Sequence, residues 1–387
     1  MHSKVTDSIY YIGADDKTID LFESQYKVPN GVSYNSYLIL DEKVAIMDTV
    51  DPRATDEWFA NMEEVLGGRT PDYLVISHLE PDHAGNIQKA AEKYPQMKLV
   101  SNPKTFAFLP QFFDMDVSDR CVTVKEGDTL SLGEHTLTFV MAPMVHWPEV
   151  MVSYESSEKV LFSADGFGKF GALDAEEEWA DEARRYFINI VGKYGVQVQA
   201  LLKKAAGLDI EVICPLHGPI LKGNLGYYLG LYDTWSSYRP EESGIVIACA
   251  SIHGNTAKAA QTMAEILRGK TDMPVKVYDL ARDDMALVTA EAFRYDRLIL
   301  AAASYDGGVF LPMEDFLTHL EYKTWRNRKV GLIENGTWAP SAARVMSGHL
   351  EKMKNIEVCD TVVTVRSTMK PADRVVMEGL ADEILSR

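Results

Sequence analysis

Along the first part of the chain the apolar positions come in short runs separated by turn residues, the texture of strands rather than of long helices. Residues 36–40, a turn at Asp41 and Glu42, and residues 44–48 read as a hairpin; strand-like runs recur at 73–77, 98–101, 136–142, 150–154, 159–163 and 211–214. Helical spacing is confined to 55–66, 84–93 and 175–193. The pattern lapses over 236–243, a polar stretch containing Pro240. From Gly244 strand-like runs at 244–250, 275–280, 297–303 and 329–333 take turns with amphipathic helices beginning near Thr256, Met285, Met313 and Ser341. Regular alternation of strand and helix marks a doubly wound parallel sheet. The chain is therefore expected to divide into a strand-rich α+β domain over 1–242 and an α/β domain over 243–387.

Charge narrows the partners. Lys plus Arg number 39 against 57 Asp plus Glu, a net charge of −18 over 387 residues. Nucleic acid and anionic membranes call for a basic surface, so neither is an expected partner. No apolar run approaches the roughly 18 residues of a membrane span, and no apolar leader follows Met1-His2-Ser3-Lys4, so a cytoplasmic location is expected. Cys121, Cys214, Cys249 and Cys359 are too dispersed for a CxxC pair, which excludes a disulfide framework and a thiolate-ligated zinc or rubredoxin-type iron site. The acidic run 174–178 reads as the solvated first turn of a helix, where the dipole favours negative charge.

Chemistry concentrates in Ser77-His78-Leu79-Glu80-Pro81-Asp82-His83-Ala84-Gly85-Asn86, where His78, Glu80, Asp82 and His83 fall on a strand-to-helix loop that can aim them at one point. Three further residues stand where a strand-like run gives way to a turn: His146 in Val145-His146-Trp147-Pro148, Asp165 in Ala164-Asp165-Gly166, and His217 in Leu216-His217-Gly218-Pro219. Several strands delivering ligands to one sheet edge would produce this spacing. His135, His319 and His349 lack such company and read as surface residues.

HxExDH followed by distant His, Asp and His resembles the metallo-β-lactamase-like domain of flavodiiron proteins. Hydrolases of that superfamily carry HxHxDH, where imidazole-rich ligation holds zinc and acidifies a bound water. Here Glu80 replaces the second histidine, giving four imidazoles and three carboxylates for two metals, a mixed donor set that suits iron. The resemblance implies that His78, Glu80 and His146 bind one iron, that Asp82, His83 and His217 bind the other, and that Asp165 bridges them.

The second domain opens with the run 244–250 and then Ser251-Ile252-His253-Gly254-Asn255-Thr256 ahead of a helix. A hydroxyl- and glycine-rich turn at a helix N-terminus offers N–H groups and the positive dipole end to a phosphate. It resembles the flavodoxin phosphate loop, with His253 where a hydroxyl residue is usual. Two later strand ends carry Ser304-Tyr305-Asp306-Gly307-Gly308 and Asn335-Gly336-Thr337-Trp338, and in such a sheet the ligand sits beyond the carboxyl ends of the strands. Tyr305 and Trp338 are candidate neighbours of a flavin ring, and the whole set points to FMN; no GxGxxG for a dinucleotide follows any strand.

The resemblance spans the whole chain. It implies an αββα metallo-β-lactamase-like sandwich followed by a flavodoxin-like sheet, and reduction of dioxygen to water, of nitric oxide to nitrous oxide, or both. It also implies head-to-tail homodimers, or dimers of such dimers. Lacking a CxxC pair, the chain would take electrons from an external donor, a rubredoxin-like protein or a reduced deazaflavin. A zinc hydrolase with an added flavodoxin-like module is the alternative, and Glu80 counts against it. Some relatives carry a histidine near the irons where this chain has Ser24.

Overall fold

Strands buried on both faces explain why the N-terminal runs are apolar without alternation: Tyr37–Ile39, Ala45–Met47 and Val160–Phe162 have no exposed residue. The structure, a computed structural model, describes residues 2–386, and Met1 and Arg387 lie outside the described residues. The chain forms two compact units, one of residues up to 187 plus 194–233, the other of 188–193 plus 234 onward.

The first unit is a metallo-β-lactamase-like sandwich. One sheet orders Ser3–Lys4, Ile9–Tyr11, Tyr37–Ile39, Ala45–Met47, Tyr73–Val75, Lys98–Ser101 and Cys121–Thr123; the other orders Thr129–Ser131, Thr136–Met141, Met151–Glu155, Val160–Phe162, Val212–Cys214 and Leu221–Lys222. Their inner faces share a core in which Ile9, Tyr37, Met47 and Val100 of one sheet meet Phe139, Met151, Phe162 and Cys214 of the other. Direction matters for the site. Tyr73–Val75 runs parallel to Ala45–Met47, and Val160–Phe162 runs parallel to Val212–Cys214, so each pair opens at its carboxyl ends onto one edge.

The second unit is a flavodoxin-like sheet of five parallel strands. In space they run Val275–Asp279, Glu242–Ala250, Tyr295–Tyr305, Arg328–Asn335 and Ile356–Val365, the order 2-1-3-4-5. One face packs on helix Asn255–Arg268 through Ala260, Met263 and Leu267, and on helix Pro371–Leu385 through Met377, Leu380 and Ile384.

Two expectations are corrected. The acidic run 174–178 precedes its helix, which starts at Trp179 with Glu178 as its cap. Its charges fasten loops instead: Asp174 pairs with Lys17 at 2.5 Å, and Glu177 takes the Lys169 ammonium at 2.5 Å and the Asn30 amide at 2.7 Å. His135 is buried rather than on the surface, with its Nδ1 2.8 Å from Asp41.

Candidate functional site

The seven predicted side chains of the first unit meet at the carboxyl-end edge of the sandwich. His78 and Glu80 follow strand Tyr73–Val75, and Asp82 and His83 ride the short helix Pro81–Ala84, which Pro81 starts at the position where a missing N–H costs nothing. His146 follows Thr136–Met141, Asp165 follows Val160–Phe162 and His217 follows Val212–Cys214. Met144 and Ala164, which lead into His146 and Asp165, hold left-handed φ of 65° and 49°, conformations a non-glycine residue keeps only where its surroundings impose them.

Two groups emerge, His78, Glu80, His146 and Asp165 in one, Asp82, His83 and His217 in the other. Glu80 Oε2 lies 3.0 Å from His146 Nε2 and 3.3 Å from His78 Nε2. Asp82 Oδ2 lies 3.2 Å from His217 Nε2 and 3.3 Å from His83 Nε2. Asp165 spans both: Oδ2 is 3.5 Å from His78 and His146, and Oδ1 is 3.1 Å from His83. Both Asp82 oxygens, Asp165 Oδ2 and His217 Nε2 are buried without a hydrogen-bond partner. Buried polar atoms are normally satisfied, so orphaned donor atoms converging on two points fit a pair of metal ions.

Electrostatics agree. Burial alone would lower the imidazoles, yet Asp82 and Asp165 beside His83, and Asp165 and Glu80 beside His146, raise both to about 9. Burial would raise Asp165, yet His83, His146 and His78 hold its carboxyl well below the carboxylate range. In the metal-free chain protons thus stay on His83 and His146 at neutral pH, where metal cations would otherwise sit.

Sequence reasoning missed the residues that hold the ligands. Glu149 Oε1 lies 2.8 Å from His78 Nδ1 and also accepts the Leu79 N–H; the Ser33 carbonyl is 2.7 Å from His217 Nδ1; the Tyr186 hydroxyl donates to Asp165 Oδ1 at 2.9 Å. Such partners fix which ring nitrogen faces a metal. Only Glu149 left a trace, standing three residues after His146. Glu23 was missed as well. It shares with Ser24 the tip of the hairpin Leu21–Phe22/Tyr26–Lys27, both at left-handed φ, and desolvation together with the charge of Glu80 pushes its carboxyl up to about 7.

The second unit brings its three predicted loops together around a cleft of about 420 Å³ lined by Ile252, His253, Asn255 and Thr256, by Ser304, Tyr305, Asp306 and Gly307, and by Asn335, Gly336, Thr337 and Trp338. Ser251, Gly254 and Gly308 stand behind the lining: the Ser251 hydroxyl accepts the Gly254 N–H at 3.1 Å, and Gly308 pairs with Tyr305 across a tight hairpin. Gly254 caps helix Asn255–Arg268 with φ of 85°, a conformation that favours glycine. Ser367, from a fourth loop, was missed; it bonds Asn335 through its backbone and Thr337 through its hydroxyl. Trp338 is 88% exposed and Tyr305 45% exposed at the cleft, large flat surfaces available to a planar ring. Open space, a helix N-terminus and flanking aromatics fit FMN.

Comparison with known proteins agrees with this geometry. A family model described as ODP family β-lactamase matches residues 32–218. The rubredoxin-oxygen oxidoreductase of Megalodesulfovibrio gigas is 28% identical over 99% of this chain and 97% of that protein, and its solved structure superposes with a TM-score of 0.92 over 99% of this chain and 98% of that one. The anaerobic nitric oxide reductase flavorubredoxin of Vibrio vulnificus is 29% identical over 82% of this chain and 67% of that protein. The flavodiiron protein of Giardia intestinalis shares the fold at 22% identity with a TM-score of 0.90, covering 99% of this chain and 96% of that one. Over nearly its whole length the chain is thus similar to flavodiiron proteins.

Proposed function

We propose that this protein is an oxidoreductase that reduces dioxygen to water, nitric oxide to nitrous oxide, or both, at two non-haem irons served by FMN. The observation that carries the reading is Asp165, which sends one oxygen to each of two His/carboxylate groups. His78, Glu80 and His146 would hold one iron, Asp82, His83 and His217 the other, with Asp165 between them. When bound, two irons would supply one electron each and reduced FMN two more, four for dioxygen, whereas two nitric oxide molecules need only two.

The chain's own residues keep that centre in register. Glu149 accepts from His78 Nδ1–H and the Ser33 carbonyl from His217 Nδ1–H, so each presents Nε2 inward. Trp147 stands edge-on to His78 at 5.0 Å and Phe22 to His217 at 5.3 Å, excluding water from the rings' flanks. Tyr186 O–H holds Asp165 Oδ1 in place.

In this reading residues 1–242 form the diiron domain and 243–387 the FMN domain, where Thr256 and the N–H groups after Gly254 would hold the phosphate and Tyr305 and Trp338 would offer aromatic surface to the ring. Electrons come from a rubredoxin-like protein, as the name of the M. gigas relative suggests, or from a reduced deazaflavin. A head-to-tail homodimer in the cytoplasm completes the proposal; among the described residues no helix is long and apolar enough to cross a membrane. The hydrolase alternative draws no support from Glu80, an anionic donor 3.0 Å from His146.

The test is iron, zinc and flavin per chain in anaerobically purified protein, followed by dioxygen and nitric oxide consumption with a reduced rubredoxin as donor. Two irons, one FMN and steady consumption of either gas are expected. Two zincs and no flavin, with added iron and FMN failing to bind, would overturn the reading.

A further inference from the structure

A second set of histidine and carboxylate side chains lies at the other end of the sandwich. Tyr37–Ile39 runs antiparallel to Ala45–Met47, so the turn after it, with Asp41, faces away from the seven-residue centre. The turn before Thr136–Met141 brings His135 to the same end, and the turn joining Met151–Glu155 to Val160–Phe162 brings Glu155 and Glu158.

His135 is held firmly. Its side chain is 6% exposed, Asp41 Oδ2 accepts its backbone N–H at 2.7 Å, and the same oxygen is 2.8 Å from Nδ1. With Nδ1 engaged, Nε2 points away from Asp41 toward Glu158. Among the described residues it makes no hydrogen bond, its nearest carboxylate oxygen being Glu158 Oε2 at 3.6 Å. One donor atom from each of His135, Glu155 and Glu158 falls within 4.8 Å of the others.

The glutamates are equally fixed. Glu155 is fully buried, and its oxygens accept the Ser157 and Glu158 N–H groups at 2.8 and 2.7 Å, leaving a lone pair free on each. Glu158 accepts from the Thr6 hydroxyl and the Ser8 N–H. Among the described residues no lysine or arginine pairs with the side chains of Asp41, Glu155 or Glu158. Three carboxylates thus face one imidazole, an excess of negative charge that is costly where water is scarce.

We propose that His135 Nε2, Glu155 and Glu158 form a third cation site, separate from the seven-residue centre, for a divalent ion of borderline hardness such as Zn²⁺ or Co²⁺. One nitrogen and two oxygen donors match such ions, and Asp41 behind His135 reproduces the carboxylate–histidine–metal arrangement that fixes a ligating ring. The ion would staple three turns and, through Glu158, the segment at Thr6 and Ser8.

Cobalt tests it. The holoprotein, with its resident metals counted beforehand, is incubated anaerobically with Co²⁺, desalted and counted again, alongside His135→Gln and Glu158→Gln. Expected is one cobalt per chain with the resident metals unchanged, at least tenfold weaker retention in each variant, and a rise in Tm with cobalt for the parent alone. Glu158 is partly exposed, so its isosteric variant keeps the test independent of any folding defect at His135. No cobalt uptake, uptake matched by loss of resident metal, or equal uptake by all three proteins overturns the proposal.

Discussion

The metal centre and the cleft solve the problem of holding a cofactor in opposite ways. In the sandwich seven side chains converge from four loops; His78, Asp165 and His217 are wholly buried, and their spare atoms are bonded to Glu149, Tyr186 and Ser33. In the parallel sheet the cleft is lined by residues of several loops at the strand ends, and its largest side chain, Trp338, is almost entirely exposed. Buried charge has to be compensated in place, so the first site is over-determined and sensitive to every member. An open cleft shares its contacts among many weak groups, so single losses there should be mild.

The sharpest way to break that contrast is Asp165→Asn, which keeps the shape and removes the one carboxylate that serves both groups. Metal content should fall toward zero and gas consumption by more than about 100-fold, beyond the ~10–100-fold typical of outer-sphere changes, while flavin per chain stays unchanged. Elemental analysis beside acid-released flavin measures both; parallel loss of flavin would mean that the sites are not independent. Glu149→Gln comes next. It leaves His78 in place and weakens only its orienting bond, so metal affinity should drop about 10- to 100-fold with flavin again unaffected, as read by competition with a chelator.

Glu149 also marks the limit of what the sequence discloses. The seven side chains that the structure gathers sit at strand ends in spaced motifs, so their convergence was legible, as was that of the three loops of the cleft, because parallel-strand topology dictates where loops meet. Residues that orient ligands have no such signature: Ser33 acts through its carbonyl, and Tyr186 comes from a helix distant in sequence. Strand Thr129–Ser131 escaped for a related reason, since it has only Leu130 as an apolar residue and both its ends are exposed. Closing strand Ile356–Val365, at the sheet's edge, alternates buried with exposed positions and lacks the apolar run of its neighbours. The surface reading of His135 failed because a turn in sequence was taken for exposure, while Asp41, distant along the chain, closes over it.

Titration separates the two sites further. With the metals removed, His83 and His146 are raised to about 9 from an unfolded value near 6.5. A raised imidazole contributes stability that is complete below about pH 6.5 and is lost as pH climbs through about 9. The Tm of chelator-treated protein should therefore decline between those values, while metal uptake, which must displace the same protons, strengthens over the same interval. In the second unit, burial keeps Cys249 of strand Glu242–Ala250 up at about 12, so that core thiol stays protonated throughout. FMN affinity should accordingly change little from pH 7 to 9, and a steep change in it would contradict the contrast between the sites.

The smallest expected effect belongs to Trp338. Its indole is 88% exposed and so contributes little to the fold, and the cost of truncating it should fall almost wholly on the bound state. An aromatic contact of this kind is worth about 0.5–1.5 kcal/mol, so Trp338→Ala should weaken FMN binding by about 2- to 12-fold, measured by flavin fluorescence quenching. Trp338→Phe should recover most of the loss, because a smaller ring still presents a face. Stability of the flavin-free protein should stay within about 0.5 kcal/mol of the parent, as for other surface changes. Unchanged affinity would detach Trp338 from the flavin; a loss of several hundredfold would make the cleft as dependent on one residue as the metal centre is on Asp165, and the distinction between a closed site and a distributed one would fail.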